Sequence, residues 1–269
     1  MDLEKRKALH LELVNRYVER EVVNLGRFPE SDRIVLFDCG ARHGVWTEAF
    51  FKTYPNAKIE AHLFEPTQRG CDFIREHHDD VFGPCRFGHT IKLNQIAVGE
   101  REEVLTLHLD KEGSGWASFV ARPDFPPIMT EDVSVKTLDD YAAQANVERI
   151  DLLKLDVEGW EWRALKGASR LLAEQRIGSV LFEFSQCNVF TRTFFYDLWT
   201  ILRPTGFDFF FVDRSQEFRL QPIPQYSGEW ERFKGTSMFF ARHHSLPVES
   251  ILVTQPRPQT AAGSPDRAP

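Results

Sequence analysis

The apolar positions of this chain fall into blocks with two different periods. From Leu3 to Leu25 they return at helical spacing (Leu11, Val14, Val18, Val22, Leu25) with charges between them, which predicts an amphipathic helix laid on a core. Gly26, Pro29 and Ser31 break that pattern. The apolar run Arg33–Gly40 (RIVLFDCG) then reads as a buried strand, and VWTEAFFKTY after it as a helix stopped by Pro55. The cycle returns with a strand over Lys58–Pro66, a helix over Gln68–His78 and a third strand over Ile91–Gly99. Glu103–Leu109 alternates apolar and polar residues, as a half-exposed strand does.

Residues 110–135 are rich in Gly, Ser, Pro and Asp and are expected to form a long loop. Thr137–Asp140 (TLDD) has the form of a capping box opening a short helix. Ile150–Gly159 predicts a fourth buried strand with acids at its carboxyl end, Glu161–Gln175 a helix, and Gly178–Ser185 a fifth strand. Phe194–Leu202 is expected to be helical, and Phe207–Arg214 with Thr236–His243 to form a closing strand pair. The organisation expected is a helical extension over residues 1–30, an α/β domain over 31–246 and a Pro-rich disordered tail over 247–269. Strands alternating with helices define a parallel sheet with helices on both faces, and such sheets bind ligands at the carboxyl ends of their strands.

Charge narrows the partners. Over 269 residues, 33 Lys and Arg stand against 40 Asp and Glu, a net charge of -7, so an acidic surface would repel nucleic acid. The four cysteines have neither zinc spacing nor disulfide density, which predicts free thiols in a reducing compartment. MDLEKRKALH lacks the apolar core of a signal peptide, and no apolar run reaches the roughly 20 residues of a membrane helix. A soluble, cytoplasmic protein with a small-molecule substrate is expected, with neither membrane nor nucleic acid as partner; the oligomeric state is not readable.

Chemistry gathers at the strand ends. Asp38-Cys39-Gly40-Ala41-Arg42-His43-Gly44 gives D-x-G-x-x-x-G, a glycine turn without the middle glycine of the dinucleotide fingerprint. The missing glycine counts against a pyrophosphate, and Asp38 favours an ammonium or sulfonium group. Glu65 ends the second strand, where an acid can accept hydrogen bonds from both ribose hydroxyls. The pair points to a nucleoside-bearing cofactor without pyrophosphate.

FDCGARHGVWTEAF, HLFEPTQ, NQIAVGEREEVLTLHL, VKTLDDY, IDLLKLDVEGWEWRALKGASRLL and VLFEFS stand in the order and spacing of FkbM-type methyltransferases, which this chain resembles from about Ile34 to Arg214. The most specific part is K-x-D-V-E-G (Lys154–Gly159) followed by L-K-G-A (Leu165–Ala168). The resemblance implies S-adenosyl-L-methionine as cofactor. It also implies the class I methyltransferase Rossmann-like fold, a mostly parallel seven-stranded sheet with an antiparallel last strand. It places Asp38, Gly40, Ala41 and Gly44 along the methionine part of the cofactor and Glu65 on the ribose. Gln95 to Ala97 would border the adenine, and Asp156 would lie beside the sulfonium. The chain departs from the family at Arg42, a bulky cation where a small amide is usual.

Asp156 and Glu158 are the candidate catalytic residues: they share a face if the segment stays extended and diverge if it turns. They can serve as base for the acceptor hydroxyl, as contact to the cofactor amine or as half of a metal site, and Glu158 can equally cap the next helix. Lys154 can pair with either, and Glu183 can face the acceptor. His43 and His89 are secondary acid/base candidates, while His77-His78 and His243-His244 read as solvated pairs. Trp116 is a candidate to close over an acceptor, and Trp160 and Trp162 read as helix packing. No histidine pattern has metal-ligand spacing, and no metal is expected. The reaction expected is methyl transfer to a hydroxyl of a sugar or secondary metabolite. The alternatives are a nicotinamide-dependent oxidoreductase or a non-catalytic cofactor-binding protein of the same fold.

Overall fold

The computed structural model describes residues 33–77, 89–110, 115–124, 126–214 and 219–246; the predicted N-terminal helix and the tail lie outside them. The repeating part of the pattern folds as read. Strand β1 (Ile34–Cys39), helix α1 (Val45–Thr53), strand β2 (Ile59–Phe64), helix α2 (Gln68–Glu76) and strand β3 (Thr90–Asn94) follow one another. Then come β4 (Ala97–Val98), β5 (Glu103–Leu109), β6 (Met129–Lys136), α3 (Leu138–Gln144), β7 (Leu152–Leu155), α4 (Glu161–Lys166) and α5 (Ser169–Ala173). The chain closes with β8 (Ser179–Ser185), α6 (Cys187–Thr191), α7 (Phe195–Leu202), β9 (Phe207–Asp213), β10 (Arg219–Ile223) and β11 (Thr236–His243).

The main sheet has the order β10-β9-β11-β8-β7-β1-β2-β3. Strands β3, β2, β1, β7 and β8 pair in parallel, and β11 runs antiparallel to both β8 and β9. The expected seven strands are therefore eight, with β10 added at the edge beyond β9. Pro222 sits in that strand, and an edge tolerates the missing ladder donor.

β1 is buried on both faces, and its alternation divides the core. Ile34 and Leu36 pack with Trp46 and Phe50 of α1, whereas Val35, Phe37 and Cys39 pack with Tyr141 of α3 and with the cluster that includes Phe195 of α7. Phe182, Phe195, Phe209 and Phe239 form an aromatic knot, with Phe195 and Phe239 centroids 4.5 Å apart. Each such side chain contributes about 1.5–3 kcal/mol by leaving water.

Three elements differ from expectation. The third strand is two: β3 stays in the main sheet, while β4 joins a separate sheet of order β4-β6-β5. The long loop ends early, because 129–136 forms β6, which pairs with β5 from Glu103↔Val135 to Leu109↔Met129. The helix expected over Glu161–Gln175 is broken into α4 and α5. Gly167 lies at the break, where a Cβ would stand 1.9 Å from the Gly99 carbonyl oxygen.

The chain leaves β1 toward β2 and β3 and later returns to β7 on the other side of β1. That reversal opens a crevice at the carboxyl edge, between the ends of β1 and β7.

Candidate active site

Residues after β1, β2 and β7 meet at this crevice and line a cavity of about 260 Å³ with Ala97, the 115–119 stretch and Glu183. The turn after β1 is left-handed at alternate residues: φ is 82° at Gly40, 50° at Arg42 and 76° at Gly44. Glycine is required at the first, where a Cβ would lie 1.9 Å from the Asp156 carbonyl oxygen. The N–H groups of Gly40 and Ala41 both donate to the Phe64 carbonyl, at 2.9 and 3.1 Å, and so fix the turn to β2.

Glu65 is 6% exposed. Its Oε2 accepts the Arg42 N–H at 2.8 Å, and its Oε1 accepts the Thr67 N–H at 3.0 Å and the Thr67 hydroxyl at 2.5 Å. Burial raises its pKa, while these donors pull the other way. Gly70 leaves room for it, since a Cβ there would sit 2.6 Å from Glu65 Cγ.

Gly40, Glu65, Ala97, Asp156 and Glu158 lie on the cavity wall together with Glu183. Asp38, Ala41, Gly44 and Gln95 do not. Ala41 is buried, Gly44 caps α1, and Gln95 is exposed and bonded to Gln68 and Arg75. Asp38 is fully buried behind the wall, because the β1–β7 register sets it beside Lys154. Lys154 Nζ donates to Asp38 Oδ1 at 2.9 Å and the Thr47 hydroxyl of α1 to Oδ2 at 2.7 Å. The same ammonium lies 3.5 Å from both the Gly40 carbonyl and Asp156 Oδ2. Burial works against its charge, but Asp38 and Asp156 outweigh that and its pKa is raised.

The segment after β7 does turn: Glu158 and Gly159 have φ of 54° and 92°. The turn nonetheless gathers the acids, with Asp156, Glu158 and Glu183 each offering a carboxylate oxygen within 4.8 Å of the others. Glu158 Oε2 accepts the Cys187 thiol at 2.8 Å and Arg122 Nη1 at 3.3 Å. Burial, then Asp156, lifts Glu158 to about 7. Burial and the surrounding Asp156, Glu158 and Glu161 hold Glu183 well above the usual carboxylate range, against Arg214. Behind them Glu161 accepts from the Val157 and Gly159 N–H groups, and burial lifts it to about 8. Carboxylates this close can hold protons between them or receive a cation.

The histidines stand apart. His43 packs against Phe73 in a tilted pair with ring centroids 4.1 Å apart, and burial with Arg42 lowers it to about 4. His89 accepts the Ile59 N–H, and His243 is buried rather than solvated. Sequence reasoning missed Arg122 and Cys187: Arg122 pairs with Asp124 two residues on, but the contacts that bring both residues to the site are to Glu158, 36 and 29 residues away, and leave no local signal. Thr67 carried one: it caps α2, accepting the Gly70 N–H, just after Glu65-Pro66.

The mostly parallel sheet, its antiparallel closing strand and the cavity at its carboxyl edge are the class I methyltransferase fold. The chain belongs to the methyltransferase FkbM domain family, whose profile matches residues 38–209. The cofactor of that family is S-adenosylmethionine. A curated relative, the 2-O-methyltransferase NoeI of Sinorhizobium fredii, is 26% identical over 172 residues, 59% of this chain and 66% of that protein. Among solved structures, a methyltransferase FkbM from Methylobacillus flagellatus KT is 19% identical with a TM-score of 0.46, the match covering 80% of this chain and 44% of that one. A precorrin-6y C5,15-methyltransferase from Geobacter metallireducens is 11% identical with a TM-score of 0.42, covering 83% and 87%. The chain thus spans less than two thirds of the length of the relatives named first. The donor set fits the cofactor: a buried acid ends β2, bare backbone at Gly40 allows close approach, and acids face the cavity. Among the described residues, no helix is long and apolar enough to cross a membrane.

Proposed function

We propose that the protein transfers a methyl group from S-adenosylmethionine to a hydroxyl of a sugar or secondary metabolite. The observation that carries this reading is the convergence of Asp156, Glu158 and Glu183 on the wall that also holds Gly40 and Glu65. The 2-O-methyltransferase NoeI, a distant relative, supports oxygen as the acceptor atom. Among the described residues Cys39, Cys71 and Cys187 are buried free thiols, which supports a reducing, cytoplasmic compartment.

When bound, the cofactor supplies a methyl group on a sulfonium, already a good leaving group. The protein's share is alignment and exclusion of water. Glu65 takes the ribose, with Gly40, Ala41 and Gly44 shaping the turn, Ile96 and Ala97 on the cavity wall bordering the base, and Asp38 holding Lys154 from behind. Asp156 faces the reacting centre. Glu158 accepts the proton that the acceptor oxygen loses as it gains the methyl group, a task suited to a carboxylate lifted to about 7. Asp156→Asn keeps the volume and removes a charge, so turnover at saturating cofactor should fall at least about tenfold with the fold intact. The assay is S-adenosylhomocysteine release over a panel of sugars and hydroxylated metabolites. Cofactor binding without release over the whole panel, or release with amines alone, would refute the reading.

A further inference from the structure

Arg42 lies on the cavity wall with an exposed side chain, and among the described residues no hydrogen bond or ion pair engages its guanidinium. The backbone beneath it is held: φ is 50°, and its N–H donates to Glu65 at 2.8 Å. The guanidinium crosses Gly115, where a Cβ would stand 2.5 Å from Nη1 and 2.6 Å from Cζ. A glycine at that point of the 115–119 stretch therefore makes the space the arginine occupies.

The same cavity carries Asp156, Glu158 and Glu183. Arg42 acts on Glu158 at a distance, pulling its pKa down against burial and Asp156, but the two are not paired. One wall thus presents a cation without a partner among the described residues and a group of carboxylates. A ligand bearing a carboxylate and an ammonium a few bonds apart complements both. A purely anionic ligand would meet the carboxylates with nothing to offset them, and a purely cationic one would leave Arg42 unused.

The α-amino-acid end of S-adenosylmethionine is such a zwitterion. We propose that Arg42 receives the carboxylate of the cofactor's amino-acid end, with the acidic wall on the ammonium side. The proposal rests on the cofactor assignment above. A guanidinium offers a carboxylate two parallel donors, which a lysine cannot copy. The other source of the same chemistry is a carboxylate on the acceptor.

Calorimetry on the full chain separates the two with a pair of probes. S-adenosylhomocysteine keeps the amino-acid end, and 5′-methylthioadenosine has the same nucleoside and thioether without it. Arg42→Gln is expected to weaken S-adenosylhomocysteine at least about fivefold while leaving 5′-methylthioadenosine within about twofold of wild type. Arg42→Lys should restore part of the loss, and added salt should shrink the difference between wild type and Arg42→Gln. Equal weakening of both probes overturns the proposal in favour of a packing role. No change with either overturns it in favour of the acceptor's carboxylate. Wild-type protein that binds neither probe refutes the cofactor assignment itself, a failure distinct from that of Arg42. Arg42 is exposed, so its replacement leaves the core untouched, and a melting curve of each variant checks this.

Discussion

Lys154→Met takes a buried ammonium from between two strand ends. In the β1–β7 register Lys154 and Asp38 are direct neighbours on the face covered by α1, with side chains 3% and 0% exposed. Methionine keeps the aliphatic stem against Trp46, whose ring the ammonium approaches at 5.9 Å, and leaves the Asp38 carboxylate with the Thr47 hydroxyl alone. Removing one partner of a buried pair costs about 3–5 kcal/mol, and solvent does not discount it at this burial. For a domain of this size that is a fall in melting temperature of about 6–20 °C. The retained Thr47 bond argues for the lower part of that range.

Thermal and urea unfolding of Lys154→Met, Asp38→Asn and the double variant measure it. Since the double variant leaves no uncompensated charge, it should be more stable than the sum of the single losses implies, by at least about 1 kcal/mol. The Gly40 carbonyl and Asp156 also lose their cation, so cofactor affinity should fall with stability in Lys154→Met. Additive single effects, or a Lys154→Met loss under about 1 kcal/mol, would refute the reasoning.

Gly70→Ala drives a methyl group into the Glu65 side chain, 2.6 Å from Cγ, and should weaken S-adenosylhomocysteine by about 1–3 kcal/mol in calorimetry while the rest of the core stays packed. Turnover should rise with pH through about 7, as Glu158 ionises and becomes a base, and Glu158→Gln should flatten that limb of the kcat profile. Stability runs the other way. Folded pKa values of about 7 and 8 for Glu158 and Glu161 lie above the usual 4.5, so their contribution is full below the unfolded value, is lost progressively as pH rises from there, and is gone once pH has passed through 7 and 8. The urea midpoint should therefore drop over that window, and less so in Glu161→Gln. Chelation separates two uses of the acidic trio: proton transfer leaves activity intact in EDTA, whereas loss restored by Mg²⁺ identifies Asp156, Glu158 and Glu183 as a cation site.

The amino-acid sequence determined what local pattern can encode. Periods of two and 3.6 residues gave β1, α1, β2, α2, β7, β8 and α7. Acids and glycines at strand ends marked Gly40, Glu65, Asp156 and Glu158, because a charge beside a buried run needs a ligand or a partner to justify it. Only the tertiary structure decided the rest. β6 begins with Met129, Thr130, Glu131 and Asp132, largely exposed, so no alternation announces it until β5 pairs with it. The break between α4 and α5 depends on Gly99 approaching Gly167 from a different part of the chain. Asp38 and Glu65 both end strands, yet one is sealed against Lys154 and the other faces the cavity. What separates them is a register partner 116 residues away and the chain reversal at β1, and neither is a property of neighbouring residues. The convergence of Asp156, Glu158 and Glu183 has the same origin: it follows from the left-handed turn at Glu158 and from β8 lying beside β7.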